Sequence, residues 1–437
     1  MTPHISSATE HLNKLQAFRQ SAYDCFGPAR DALFELGDAV LLTPTLNSFA
    51  ELSLCPAFRR SWPSLYEAVQ DGCPNHTELL NLYLRHIDAP GRLVLAGDHT
   101  AWSRLSAYTL RERTIEHQPN KIPGAKPLTL GHGFSTLVWL PDTPGSWALP
   151  LLHERITPRE MPRAKMTAQL RVVCAQTPTR PVALLDAEYG CAPFLNDSAD
   201  IPCDLLFRLR PNLCLRRAPE PYKGRGRRPK HGRKFKLRDA RTWGMPCQTL
   251  ELDDPQLGPV RVSLWADLHF QKAAAHPFWV LRLERLKARD TRRDRKVLWL
   301  AWHGQPPPPL AAWWKQYLRR FGVDHWYRFS KQQLHWTLPR FKTPEQAECW
   351  SALMPLVTWQ LWLARSVVTD KPLPWQKAQP QLTPGRVRQS IGAILTQIGT
   401  PTRVPKPRGK SAGWPSGRRR QRAPRYPIAK KTRRRTR

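Results

Sequence analysis

Acidic residues are scarce in this chain. Its 437 residues carry 34 Asp and Glu against 69 Lys and Arg, a formal net charge of +35. So large a surplus rules out a surface of balanced ion pairs and asks for a polyanionic partner. Nucleic acid is the usual one, and neutralised phosphates then carry most of the affinity. The nine cysteines are scattered and include no C-x-x-C pair. That argues against a disulfide framework and against a structural zinc site, and fits small buried hydrophobes in a reducing compartment. Long apolar runs are missing too. The most apolar stretch, residues 352–368, contains Pro355, Gln360 and Arg365. It is too short and too polar to span a bilayer and reads as a buried helix, so no membrane partner is expected. Neither a basic amphipathic helix nor a lipidation motif stands out. Met1-Thr2-Pro3-His4 opens the chain with no charged segment followed by an apolar one, so no signal peptide is expected and the expected location is cytoplasmic.

What is present is ample core material. Hydrophobic residues make up 41% of the chain, and there are 18 tryptophans. The length suggests two or three domains. Residues 1–88 read as helical: Leu33, Leu36 and Val40 fall at helical spacing, and a second helix covers 64–69 after Pro63. Arg59 and Arg60 lie beside it, so this N-terminal domain reads either as a helical cap or as a small DNA-binding domain. From residue 89 the pattern alternates strands with helices. Strand candidates are 93–97, 134–140, 147–152, 182–185 and 205–209, with an amphipathic helix at 162–174. This predicts an α/β domain built on a mixed sheet over 89–212.

Residues 213–303 read as a β-rich insertion, with a hairpin from 260–268 and 278–283 and a strand at 297–302. It opens on a glycine-containing basic loop, in which residues 223–238 hold nine Lys and Arg in sixteen positions. Lys223, Arg225, Arg227, Arg228 and Lys230 are its candidate phosphate ligands. A polyproline break at 306–309 precedes a long helical pattern over 310–334, within a last structured block at 304–375. The remainder, 376–437, reads as a basic, largely disordered tail; its last part, 403–437, has fifteen Lys and Arg and no acid.

Three acids stand out. Asp98 follows the run 93–97, and Asp186 follows 182–185. Strand ends face the ligand crevice of an α/β sheet, although an Asp there is commonly a turn residue. The third is Asp324. Tyr317, Arg320, Asp324 and Lys331 are spaced 3, 4 and 7 apart, which on one helix sets them within about 60° of one another. Such a stripe is either a solvated ion-paired face or a carboxylate flanked by cations. In the second case the acid holds a metal while Arg320, Arg328 and Lys331 grip DNA phosphates. Paired metals held by three carboxylates would activate a water or a 3′-hydroxyl and stabilise the leaving oxygen; hard oxygen donors without His or Cys favour Mg2+, with Mn2+ as the alternative. Glu188 is a weaker candidate ligand. Asp142 and Asp204 read as turn residues, His325 as packed or salt-bridged, and Trp102, Trp326 and Trp336 as core rather than base-stacking platforms.

The helix pattern resembles the Y-x2-R-x3-E-x6-K signature of bacterial insertion-sequence DDE transposases, with Tyr317, Arg320, Asp324 and Lys331 in register. Asp98-His99-Thr100 resembles that family's D-x-T. The resemblance covers about residues 90–370. It implies a ribonuclease H-like fold with an insertion before the catalytic helix. It also implies Asp98, Asp186 and Asp324 as a magnesium-holding triad that cuts transposon ends and joins them to target DNA. A dimer on double-stranded DNA, in the bacterial nucleoid, follows from the same likeness. One position departs: the usual Glu is Asp324, as in mariner-type relatives. Gly322 beside it costs the helix about 1 kcal/mol and is expected to let DNA approach. The rival readings are a catalytically decayed, DNA-binding relative or repressor, and another ribonuclease H-like nuclease such as a junction resolvase.

Overall fold

The computed structural model describes residues 3–118, 127–143, 146–222, 224, 226–291, 296–407, 413, 415–419 and 421–431, with side chains from residue 8 onward. The chain begins with four helices, α1 (Pro3–Asp24), α2 (Arg30–Leu42), α3 (Pro63–Asp71) and α4 (His76–Arg85). Strands β1 (Val94–Ser103), β2 (Thr114–His117), β3 (Leu128–Trp139) and β4 (Leu149–Ile156) follow. Next come α5 (Pro162–Cys174), β5 (Val182–Leu185), α6 (Ala192–Asp197) and β6 (Asp204–Arg208). Six strands fill the insertion: β7 (Cys214–Arg217), β8 (Lys234–Lys236), β9 (Gln248–Asp254), β10 (Gly258–His269), β11 (Phe278–Arg285) and β12 (Val297–His303). Helices α7 (Trp313–Leu318), α8 (Phe321–Gln332), α9 (Pro344–Ala364) and α10 (Pro384–Ile398) complete the fold.

The architecture is the expected mixed α/β one. At its centre β4, β3 and β1 run antiparallel to their neighbours, and β5 and β6 continue parallel to β1. That five-strand order is that of a ribonuclease H-like domain. The insertion does not form a separate layer. Strand β12 pairs antiparallel with β6, and β11, β10, β7 and β8 carry the same sheet outward, with β9 on β10. The expected hairpin is β10–β11, paired from Val260 with Arg285 to Leu268 with Phe278.

Helix α9 is the hub. A capping box starts it: the Thr343 side chain accepts from the Gln346 backbone N–H, and the Gln346 side chain returns the bond. Its residues from Trp350 to Ala364 are all buried, as a helix apolar on every side must be. Buried tryptophans need an acceptor for the indole N–H, and α9 supplies two. Trp326 donates to Thr358 at 3.0 Å and Trp336 to Ser351 at 2.8 Å. These bonds hold α8 and the turn after it against α9. With Trp102 they bury the three tryptophans to 2% or less, as core residues. Helices α1, α2 and α3 pack on another side of α9 in the same continuous core. Arg59 and Arg60 are tied down there, Arg59 to Glu35 at 2.8 Å and Arg60 to Glu35 at 3.3 Å.

Three expectations are revised. The helix predicted over 310–334 is broken into a 3-10 turn (Leu310–Ala312), α7 and α8. Between the two helices Arg319, Arg320, Gly322 and Val323 donate their N–H groups three residues back, at 2.9–3.1 Å, the tighter winding that ends one helix and starts another. Second, the span 376–437 is not wholly a tail. Helix α10 buries Val387, Ile391 and Leu395. Further on, Tyr426 and Ala429 donate backbone N–H bonds to Tyr108 and Arg113, at 2.9 and 2.8 Å, and Lys431 pairs with buried Glu116 at 2.7 Å. Third, Asp204 is no turn residue. It is fully buried at the start of β6, holding Arg92 and Arg180 and accepting the Gln305 N–H at 3.0 Å. Gly304 is required beside it: its φ is +138°, and a Cβ there would lie 2.1 Å from Asp204 Oδ1.

Candidate active site

Asp98 lies within β1, not at its end. The strand continues to Ser103 because β3 pairs with it that far, Asp98 opposite Thr136. The parallel partner β5 stops earlier, at Leu185 opposite Gly97. Asp98 and Asp186 therefore sit side by side at the point where β5 ends, one interstrand spacing of about 4.8 Å apart in the backbone. Asp186 Oδ1 accepts the Glu188 N–H at 2.8 Å, a local turn that fixes its direction. Tyr327, buried on α8, donates to the Asp98 carbonyl at 2.9 Å and pairs with Thr136 at 2.8 Å. It locks α8 onto β1 directly over the first acid.

Asp324 joins through Arg320. The guanidinium donates to Asp98 Oδ2 at 3.2 Å and to Asp324 Oδ2 at 3.1 Å. Arg320 is 9% exposed in its side chain, Asp98 15% and Asp324 45%. The Arg320 Nε has no acceptor among the described residues. Burial pushes the Asp98 carboxyl up to about 6; Arg320 opposes that, and the Asp186 and Asp324 charges add to it. Burial also pushes Tyr317 up to about 12. Tyr189 is buried with its hydroxyl unpartnered among the described residues, and burial and the nearby Asp98 and Asp186 raise its pKa. The ionised form of Asp98 is thus disfavoured chiefly by burial, and among the neighbouring charges the Arg320 guanidinium acts on it most. The donors these acids offer a cation are hard carboxylate oxygens. Among the described residues, no three His, Cys, Asp or Glu side chains lie close enough together to hold a metal as they stand. The Arg320 guanidinium stands between two of the three candidates.

The stripe is divided by the helix break. Tyr317 is buried on α7. Lys331 turns inward, donating to Thr100 Oγ1 at 2.7 Å and to the Ala101 carbonyl at 3.2 Å, and burial lowers its pKa to about 8. Neither cation of the stripe, Arg320 or Lys331, is exposed; Arg328, one turn on from Asp324, is. Gly322 faces the protein: a Cβ there would meet Leu140 at 2.8 Å, so it permits helix–sheet packing and not an approach of DNA. His325 is exposed rather than packed. Asp142 is a fully exposed bend residue 3.5 Å from Arg319. Glu188 lies 3.8 Å from His99 Nε2, and His99 Nδ1 lies 4.0 Å from Asp98; among the described residues the Glu188 side chain reaches the acids only through that ring.

Arg227, Arg228 and Lys230 are exposed on the connection from β7 to β8; Lys223 and Arg225 fall outside the described residues. This loop hangs from the far edge of the sheet, seven strands from β1. At about 4.8 Å per strand that is roughly 34 Å along the sheet, so it is not brought to the acids. Sequence reasoning missed Tyr327, Tyr189 and Thr136. Tyr189, three residues after Asp186, was open to notice; Tyr327 and Thr136 matter only through strand register and helix packing.

A family comparison bears on this geometry. Residues 22–265 match the model of the DDE superfamily endonucleases. The chain belongs to that family. The match spans more than half of the chain and includes Asp98 and Asp186, while α7 and α8, with Asp324, lie beyond it. Membership implies a nuclease whose substrate is DNA. No curated protein matches the chain. No helix among the described residues is long and apolar enough to cross a membrane.

Proposed function

We propose that the protein is a DNA transposase of the insertion-sequence type, cutting element ends and joining them to target DNA with Asp98, Asp186 and Asp324 as its acids. The observation that carries this reading is the convergence of two strand acids with a helix acid through one guanidinium. Asp98 and Asp186 abut where β5 ends, and Arg320 links Asp98 to Asp324. The three carboxylates are the donors for Mg2+ or Mn2+, which when bound lowers the pKa of water or of a 3′-hydroxyl and neutralises charge on the phosphodiester. The protein's own contribution is placement. Tyr327 and Thr136 hold β1 against α8. The Asp186 turn fixes the second acid, and Arg320 supplies positive charge beside the attacked phosphate. Arg328 and the basic loop meet DNA backbone away from the acids, and two subunits on paired DNA ends complete the assembly.

Asp98→Ala and Asp186→Ala tested on DNA flanking the gene, with Mg2+, lose strand cleavage and keep DNA binding. Cleavage surviving either change would defeat the assignment. Arg320 standing between two acids also favours a second reading, a relative that binds DNA without cutting it. Absence of nicking by the wild-type protein at every Mg2+ or Mn2+ concentration, with binding intact, selects that second reading.

A further inference from the structure

Past the acids, β1 leads to an open cleft of about 480 Å³ between residues 103–107 and 337–340. None of its lining residues is acidic. Arg104 and Arg340 both line it, with the hydroxyls of Ser106 and Thr337. Arg104 is held in place by donating to the Phe341 carbonyl at 3.2 Å. Arg340 is exposed and has no partner among the described residues. Burial together with the like charges of Arg340 and Arg113 lowers the Arg104 pKa to about 10, which marks positive charge left uncompensated. A second feature converges on the same edge. Buried Arg113 braces the cleft wall by donating to the Leu105 carbonyl at 3.0 Å. The docked C-terminal segment brings Arg425 to 5.8 Å from the Tyr108 ring beside it. Two cations lining the cleft and a basic segment laid along its rim suit a chain of phosphates better than a single small anion.

We propose that this cleft is a phosphodiester-binding site for the DNA being processed, with Arg104 and Arg340 as its ligands. The inference rests on the nuclease reading given above. From Asp98 to Ser103 the strand advances five residues, about 17 Å at ~3.3 Å each. With backbone charges every ~3.4 Å along each strand of a duplex, the cleft meets DNA about five base pairs from the attacked phosphate.

The test is the salt dependence of binding to a 20-base-pair duplex of flanking DNA, read by fluorescence anisotropy without metal. Wild type is compared with Arg340→Ala, Arg340→Glu and Arg104→Ala. Arg340 has no partner to lose, so its variants keep the fold; melting temperature checks the Arg104 variant. Each alanine variant weakens binding and flattens the slope of log affinity against log salt by about 1, and Arg340→Glu weakens binding further. Wild-type affinity and slope in all three variants, beside a wild type that binds the duplex, would overturn the cleft and leave the nuclease reading standing. A wild type that binds no duplex contradicts both. A rise in melting temperature with inorganic phosphate, lost in the Arg340 variants, would then assign the cleft to free phosphate.

Discussion

Asp98 and Asp186 differ from Asp324 in how they are placed. The two strand acids are fixed by the backbone: Asp98 pairs opposite Thr136 within β1, and Asp186 directly follows Leu185, which pairs opposite Gly97, and accepts the Glu188 N–H. The helix acid is fixed by side chains. Arg320 holds it, Tyr327 anchors its helix, and Trp326 keeps that helix on α9. Register leaves a strand residue nearly no freedom. A half-exposed carboxylate held by one guanidinium keeps a good deal. The family match follows the same division, containing the strand pair and ending before the helix. On the proposed reading, the first two acids form a rigid base, and the third completes it only as Arg320 permits.

The comparison breaks first at Asp324. Asp324→Ala removes the carboxylate outright and lowers the cleavage rate by more than the roughly 10²-fold that displacing a reacting group by about 1 Å costs. Asp324→Glu retains or raises it. Single-turnover cleavage measures both, and equal losses in the two variants would show that the pocket has adapted to the shorter acid.

The next effects are on stability. The folded-state pKa of Asp98, about 6, lies above the ordinary aspartate value of 3.8. The folded protein therefore holds that proton more tightly than the unfolded chain. Without metal, Asp98 favours folding fully below about pH 4, and this contribution fades as pH rises through 6, by about 3 kcal/mol in all. Asp98→Asn removes that slope in urea unfolding followed from pH 4 to 7. An unchanged slope would mean that Asp98 is not desolvated. Mn2+, which requires the ionised form, binds more tightly as pH rises through 6. The far end of the chain gives an effect of similar size. Lys431→Met leaves buried Glu116 without its cation and costs about 3 kcal/mol, read in the same urea experiment; an effect near zero would show the docked segment to be dispensable.

The smallest effect has the most telling sign. If Arg320 competes with metal for Asp98 and Asp324, Arg320→Gln tightens Mn2+ binding about tenfold, 1.4 kcal/mol. If it merely orients the acids, binding weakens.

Much of the central sheet was legible because burial and period agree there. Residues 162–174 and 182–185 were read at the bounds of α5 and β5. Short or edge strands such as β2, β7, β8 and β9 were not, because their partners, not their residues, make them strands. Asp98 read as a strand end because the apolar run stops there; the pairing with β3 that carries β1 on to Ser103 has no local signal. The spacing of Tyr317, Arg320, Asp324 and Lys331 was legible as a stripe. The helix break that buries Tyr317, and the inward turn of Lys331 onto Thr100 and Ala101, follow from packing against β1 and α9 and could not be read from spacing. The tail showed its charge but not its dock, since Glu116 is distant in sequence from Lys431.

The central claim is that three acids on two different supports share one metal site. Titrating Mn2+ into the wild-type protein on duplex DNA, and into Asp98→Asn, Asp186→Asn and Asp324→Asn, tests it most directly. The account predicts that each substitution weakens binding, with Asp324→Asn the mildest of the three. Binding by Asp324→Asn that is indistinguishable from wild type, while the strand variants bind none, would contradict it.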